Sequence, residues 1–250
     1  MKSGKAILYV FLILMVVPVF SIIGLSIKSN GSMTLGWYAA ILQDENFLNA
    51  LLLSTIVSIF TAILTTVISF IIGLSWFNKK QRLIVLGLVL LLGLLPPEVM
   101  AIAVSKISQA MGIQGANLFF LIWGLILYCL PFGVLIIWVR FFFIGDNLIY
   151  SAEDLGLTKL SVVLKVILPL SSSALITSLI LSFLLSFNEY PRTYFLSGSY
   201  ELVSEFLNGK LGSGTDNSIY AGGGIVICIT LFFTFAFAVY QRFLRRGIKT

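Results

Sequence analysis

The chain has no histidine, and only 10% of its 250 residues are charged. Without histidine there is no imidazole general base, no nucleophile–histidine pair and no histidine metal ligand. Most enzymatic chemistry is removed at the outset, and no catalytic or metal-binding residue is expected. A charged fraction this far below the roughly 25% of soluble domains excludes a soluble globular fold. Cysteine is scarce too. Cys129 and Cys228 lie far apart inside apolar runs, with neither a metal spacing nor a disulfide framework, and read as small buried hydrophobes.

What is abundant is apolar: 59% of residues, with a mean hydropathy of +1.06. Several apolar runs exceed the ~20 residues that cross a bilayer. The expected fold is an all-α polytopic membrane protein, one domain over 1–250, with six spans at about 6–27, 47–77, 83–104, 118–144, 172–196 and 220–240. The first follows Lys2 and Lys5 and exceeds the apolar core of a signal peptide, so it reads as a retained anchor helix. The third is interrupted by Pro96-Pro97, and a polar stretch, 105–117, follows it.

Six spans place both termini on one side, and the basic residues choose which. Lys2, Lys5, Lys79, Lys80, Arg82, Arg140, Lys159, Lys165, Arg242, Arg245, Arg246 and Lys249 fall on the side of the termini, whereas Lys28, Lys106, Arg192 and Lys210 fall on the other. By the positive-inside rule both termini are cytoplasmic. The net charge of +6 is thereby read as topology, and nucleic-acid binding has no place in the account.

The segment 146–170 is expected on the cytoplasmic face, yet it carries a helical apolar pattern. Leu148, Ile149, Ala152 and Leu155 recur at helical spacing, and Gly156 sits where such a helix would end. Thr158 can cap a second helix with apolar positions Leu160, Val163, Leu164 and Ile167, stopped by Pro169. A helix, a glycine turn and a second helix follow. Such a hairpin serves either as an interfacial amphipathic element or as a docking element for a cytoplasmic partner.

Written from Tyr150, YSAEDLGLTKLSVVLKVILPL resembles the loop of ATP-binding-cassette importer permeases, in which Glu-Ala-Ala, three residues, Gly and, after a spacer, Ile-x-Leu-Pro recur. Ala152 matches the second alanine, Gly156 the glycine, Val166 the isoleucine and Leu168-Pro169 the closing pair; Tyr150 replaces the glutamate and Ser151 the first alanine. The likeness continues through Cys129-Leu130-Pro131-Phe132 before the loop, and from Leu181-Ser182-Phe183 to Phe195-Leu196-Ser197-Gly198 after it. It is strongest to the second permease of spermidine/putrescine importers. The resemblance implies the type I importer permease fold in a bacterial inner membrane, with a second permease chain, two nucleotide-binding ATPase subunits and an extracytoplasmic substrate-binding protein as partners. Tyr150, Ser151, Ala152, Asp154, Gly156, Thr158 and Pro169 are then expected at the ATPase contact. No G-x-x-x-x-G-K-[ST] occurs here, so the chain carries no cofactor, and ATP and Mg²⁺ belong to the partner ATPase. The external segment 199–219 resembles the loop that faces the binding protein.

Two acids fall in or beside expected spans, where a charge costs roughly 2.5–3.5 kcal/mol on insertion scales and so points to a function. Glu98 follows the paired prolines; Glu189 lies in Ser186-Phe187-Asn188-Glu189-Tyr190-Pro191-Arg192. Glu98, Asn188, Glu189, Tyr190 and Arg192 are the expected substrate path, against a bland alternative in which Glu189 only neutralises Arg192 three residues on. Acids beside Tyr190, Trp123 and Tyr128 would favour a cation, although ordinary packing also explains Trp123 and Tyr128. Polyamine members of the family carry an acidic pair where this chain has Asn188-Glu189, so another organic cation, or a zwitterion such as an aminophosphonate or opine, stays open. A secondary transporter or channel would explain Glu98 but not the loop pattern; a membrane enzyme would lack a nucleophile and a metal cluster. Gly222-Gly223-Gly224 is expected to permit close helix approach, and Phe141-Phe142-Phe143 to form an interfacial cluster.

The basic asymmetry makes a direct prediction. A cysteine introduced at Gly212 is labelled from outside the cell by an impermeant maleimide, and one introduced at Gln81 is not. The reverse pattern would overturn the orientation.

Overall fold

Helices begin where short polar side chains precede apolar runs. Asp44 accepts from the amides of Asn46 and Phe47, Asn78 from those of Lys80 and Gln81, Asn117 from Phe119 and Thr158 from Ser161, which satisfies donors that a helix start leaves free. A computed structural model describes residues 2–29, 32–113, 117–212 and 217–247. Its elements are α1 (Lys2–Ser26), β1 (Lys28–Ser29) paired antiparallel with β2 (Ser32–Met33), α2 (Gly36–Gln43), α3 (Glu45–Gly73), α4 (Lys79–Leu94), α5 (Pro97–Ala110), α6 (Leu118–Ile144), α7 (Asp146–Asp154), α8 (Lys159–Val162), α9 (Leu168–Leu170), α10 (Ser172–Phe187), α11 (Pro191–Leu196), α12 (Val203–Gly212) and α13 (Ser218–Gly247). A 3₁₀ turn, Leu74–Phe77, extends α3, and a π turn, Val163–Ile167, joins α8 to α9.

Among the described residues three helices are long and apolar enough to cross a membrane, Glu45–Phe77, Leu118–Ile144 and Ser218–Arg242, or five if each of two bent pairs is one span. One bent pair is the expected third span, which breaks at its paired prolines as the sequence indicates. At 83–104 the axis turns by 103° between α4 and α5. Each of these two prolines disfavours the helical conformation for the residue before it. Leu95 is therefore extended at ψ 132 and Pro96 at ψ 139, and Pro97 opens a new helix at its first position. That helix runs to Ala110, into the expected polar stretch. The expected fifth span, 172–196, is likewise divided: α10 ends at Phe187, Asn188–Tyr190 lie outside any helix, and Pro191 starts α11.

Pro169 does not end its helix. The π turn before it carries a bond from the Leu168 amide to the Val163 carbonyl, a wider loop that accommodates the proline ring, and the 68° bend comes at Ser171 instead. The external segment 199–219 contains a helix, α12, rather than a plain loop.

The bundle buries a seam of small hydroxyl side chains beside its apolar clusters and is apolar outside. α3, α6 and α10 form its centre. Ser54, Ser58, Thr61, Thr65 and Ser69 of α3 and Ser178, Ser182 and Ser186 of α10 are buried, while Leu52, Ile56, Phe60, Val67 and Ile71 face outward. Small hydroxyl side chains let the backbones approach in the absence of a hydrophobic drive between helices; Thr66 Oγ1 reaches Ser178 Oγ at 3.4 Å across the seam. Apolar clusters close the ends. Ile41, Phe47, Phe187, Val203 and Phe206 pack at the α2/α12 end, and Trp138, Phe141, Ala152, Val162 and Ile167 at the α7/α8 end. Phe141 is thus core and only Phe142 and Phe143 are exposed; Cys129 is buried as expected, whereas Cys228 lies on the outer face of α13. Gly222 and Gly224 do face close neighbours, Leu207 and Tyr38.

Gly133 of α6 marks the tightest part of the seam, because a Cβ there would meet Ser69 Oγ and lie 3.0 Å from Ser178 Oγ. Gly133→Val is expected to lower stability by about 1–3 kcal/mol through overpacking, read as a lower melting temperature in detergent, while Val139→Leu on the outward face of the same helix leaves it unchanged. Equal melting of the two variants would mean that the seam is looser than described.

Candidate functional site

The break after α10 begins with chemistry that proline imposes. Pro191 has no amide hydrogen and so removes a bond from the helical ladder, and Asn188, Glu189 and Tyr190 lie outside any helix. The Glu189 carbonyl accepts from Thr193 Oγ1 at 3.0 Å and from Ser204 Oγ at 2.9 Å. The Glu189 carboxylate turns inward. Its Oε1 accepts from Arg192 Nη1 at 2.7 Å and from the Arg192 amide at 3.3 Å. Both side chains are buried, at 7% and 5% exposure for the two residues, where an uncompensated charge would be far costlier than the pair.

A third group completes the arrangement: Arg192 Cζ stands 4.0 Å from the centre of the Tyr128 ring on α6, within cation–π range. The guanidinium is therefore held by an anion on one side and an aromatic face on the other. Arg192 Nε is buried without a hydrogen-bond partner among the described residues. Net charge within the pair is zero, and its spare donor meets no acceptor among the described residues.

The other expected path residues do not join this cluster. Asn188 is exposed and its amide donates to the Leu184 carbonyl at 2.8 Å and to Thr230 Oγ1 of α13 at 3.4 Å. Tyr190 packs its ring 5.8 Å from that of Tyr194. A cavity of about 260 Å³ lies beside them, lined by Phe187, Asn188, Tyr190, Ser204, Leu207 and Asn208 among others. Glu98 occupies the first turn of α5, exposed, and shares no bond with Glu189 or Arg192. Trp123 belongs to an aromatic run with Phe119 and Phe120. Sequence reasoning missed Thr193, Ser197, Ser204 and Glu205. Thr193 was in principle findable, since a hydroxyl four residues after a residue that loses its helical partner is placed to cap it. Ser204 and Glu205 depend on a tertiary contact that spacing does not encode.

At the opposite end α7 and α8 form the expected hairpin. α7 closes with paired bonds, the Gly156 amide to the Glu153 carbonyl at 2.8 Å and the Leu157 amide to the Ala152 carbonyl at 3.2 Å, a Schellman motif that needs a left-handed residue at the glycine. Gly156 has φ +89. Ala152, Val162 and Ile167 are buried against Trp138 and Phe141, but Leu148, Leu155, Leu160 and Leu164 are exposed. Half of the apolar pattern therefore faces away from the chain. Tyr150, Ser151, Asp154, Thr158 and Pro169 are exposed as well, with Ser151 Oγ bonded back to the Asn147 carbonyl and Thr158 capping α8. Tyr150 and Glu153 line a cavity of about 460 Å³ between the hairpin and the end of α3, closed by Phe77, Asn78, Lys159 and Ile167 among others.

Residues 65–249 match the family described as binding-protein-dependent transport system inner membrane component. The chain is 26% identical over 250 residues, 99% of its length and 94% of the relative's, to the spermidine/putrescine transport system permease protein PotC of Escherichia coli (strain K12). It is 25% identical over 202 residues, 78% and 77% of the two chains, to the PotC protein of Haemophilus influenzae. Among solved structures it is similar in fold to a bacterial ABC transporter involved in import of the acidic polysaccharide alginate (TM-score 0.66, 16% identity, 94% of this chain and 96% of that one). An inward-facing MetNI methionine ABC transporter is also similar (TM-score 0.64, 15% identity, 80% and 98%).

A Cβ at position 156 would meet nothing within 4 Å, so only the backbone conformation opposes a side chain there. Gly156→Val is expected to raise amide hydrogen exchange across 148–158 by about tenfold, and Gly156→Asn by much less, because asparagine tolerates the left-handed region. Equal exchange in both variants would refute the turn's dependence on glycine.

Proposed function

We infer the function from family membership: this chain belongs to the family of binding-protein-dependent transport system inner membrane components. The observation that carries the reading is that this match spans 65–249 while the PotC likeness spans 99% of the chain. The chain acts as one permease of an ATP-driven importer, with six spans and both termini cytoplasmic, and it forms half of a translocation pathway with a second permease. Two ATPase subunits bind ATP and Mg²⁺ and engage the exposed leucines of the α7–α8 hairpin, with Tyr150 standing where the family's glutamate makes a polar contact. An extracytoplasmic binding protein delivers the substrate at the α2/α12 end.

The substrate is a polyamine. The PotC likeness supports this, and so does a buried carboxylate whose guanidinium partner stacks on Tyr128. Because Arg192 already neutralises Glu189, an incoming ammonium gains attraction only by sharing the carboxylate or displacing the guanidinium. Tyr128 would hold that guanidinium while the exchange takes place. Glu98 and Asn188 line the approach to the break. One observation favours a second reading, a zwitterionic substrate: the unpartnered Arg192 Nε suits an anionic group at the same time as Glu189 suits an ammonium.

Uptake of labelled spermidine and of a labelled zwitterion by the full transporter in vesicles separates the readings, comparing Glu189→Gln, Arg192→Gln and the double variant. A polyamine path predicts that Glu189→Gln lowers spermidine uptake by about tenfold, the equivalent of roughly 1.4 kcal/mol, with Arg192→Gln far milder. A zwitterion path predicts that both singles fail for the zwitterion. If the double variant transports as well as the parent, the pair is structural and the break is not in the path.

A further inference from the structure

The external helix α12 is fastened to the frame through three consecutive residues, one bonded to α3 and two to the residues that flank α11. The Val203 amide donates to Ser54 Oγ of α3 at 2.8 Å, Ser204 Oγ donates to the Glu189 carbonyl at 2.9 Å, and Glu205 Oε2 accepts from Ser197 Oγ at 2.8 Å. Glu189 lies two residues before the short helix that carries Arg192, and Ser197 immediately follows it. α11 is thus gripped at both ends by adjacent residues of one helix. The far end of α12 is tied as well, where Lys210 Nζ lies 3.1 Å from Asp44 Oδ2 at the start of α3.

The chain needs such a grip. α11 has only six residues, too few to hold its own conformation, and the Glu189 carbonyl has no helical donor to take. It meets α6 through the Arg192–Tyr128 stack, which depends on how α11 is aimed, and through Leu196, which packs in one cluster with Leu121 and Leu125. The same turn of α12 walls the cavity over Asn188 and Tyr190.

We propose that Ser204 and Glu205 are positioning residues for the Glu189–Arg192 pair, holding α11 so that the guanidinium stays between the carboxylate and the Tyr128 ring. Ser204 fixes the backbone at the carboxylate end and Glu205 fixes the other end through Ser197. Burial pushes the Glu205 carboxyl upward, opposed by the Ser197 hydrogen bond, so a neutral acceptor of the same shape keeps the grip. The inference rests on the importer reading only for its effect on uptake, and the geometry is tested without any substrate.

The test uses the full transporter in lipid nanodiscs, with Cys228→Ser to remove the exposed thiol and Asn188→Cys as reporter, alkylated by an impermeant maleimide. Ser204→Ala with Glu205→Ala is expected to change the labelling rate at 188 by about fivefold, the ratio that a lost hydrogen bond produces, whereas Ser204→Thr with Glu205→Gln stays close to the parent. In vesicles without the reporter, Ser204→Ala lowers uptake by about fivefold in the parent and has no further effect once Arg192→Gln is present, since residues acting through one pair are not additive. Where the double alanine variant fails to insert, Ser204→Ala alone is labelled. Unchanged labelling overturns the proposal, and so does an equal loss of uptake in both backgrounds, because a merely structural hydroxyl would act independently of Arg192. Shifted labelling in a transporter that takes up no labelled spermidine would instead uphold the positioning role and reject the substrate assignment.

Discussion

A backbone group freed inside an apolar slab must find its partner within the protein, because lipid offers none. This constraint organises the chain wherever its helices break. At the end of α3 the Gly73 carbonyl accepts from Trp138 Nε1 at 3.1 Å; at the end of α9 the Leu170 carbonyl accepts from Arg140 Nε at 2.7 Å; between α10 and α11 the Glu189 carbonyl accepts from Thr193 and Ser204. The first two donors are two residues apart on α6. One uninterrupted helix therefore seals two discontinuities at the hairpin end, and α12 seals the third at the other end. The breaks are tolerated because long donors on neighbouring elements reach them.

The ion pair follows the same logic with charge in place of a carbonyl. Arg192 and Glu189 would each be prohibitive alone at this burial, and together they gain little net stability over apolar residues of similar size. Ser58, Thr61, Thr65 and Ser69 are buried hydroxyls without hydrogen-bond partners among the described residues, each unfavourable by an amount that close helix packing must offset. Small hydroxyls share the centre of the bundle with large apolar side chains, and apolar side chains also cover its perimeter, unlike a soluble helix bundle.

Much of this was legible in the residues. Thr158 caps α8 and Gly156 closes α7 because both act through bonds spanning three to five residues, which the order of the chain encodes directly. The long spans 47–77 and 118–144 were equally plain, since a run of that length has no other stable place. The breaks were less so. A hydropathy window averages over a length far greater than Asn188–Tyr190, so a three-residue gap vanishes in it, and only Pro191 signalled the interruption. Pro169 gave the opposite lesson: a π turn makes room for the ring, and the bend falls at Ser171. Phe141 reads the same as Phe142 in sequence, yet one is core and the others face outward, because the 100° step between neighbours turns one face in. Tyr128 under Arg192, and Ser204 on Glu189, join residues distant in sequence, and no local signal reports such pairs.

The two regions that bear functional features lie at opposite ends of one element. α10 runs from the bend at Ser171, next to the hairpin, to the break at Asn188, next to the ion pair, with 16 residues of unbroken helix between them, a rod of roughly 24 Å. Along its length Ser178, Ser182 and Ser186 face the hydroxyl-bearing side of α3. Small side chains of this kind set few interlocking ridges against a neighbour, unlike the leucines of a soluble bundle. Both ends of the rod are non-helical, and both are bonded to other elements by side chains, Arg140 at one and Ser204 at the other. The hairpin and the buried pair are consequently joined by a single stiff helix whose attachments are a few named hydrogen bonds, and those bonds determine how the one region is registered against the other.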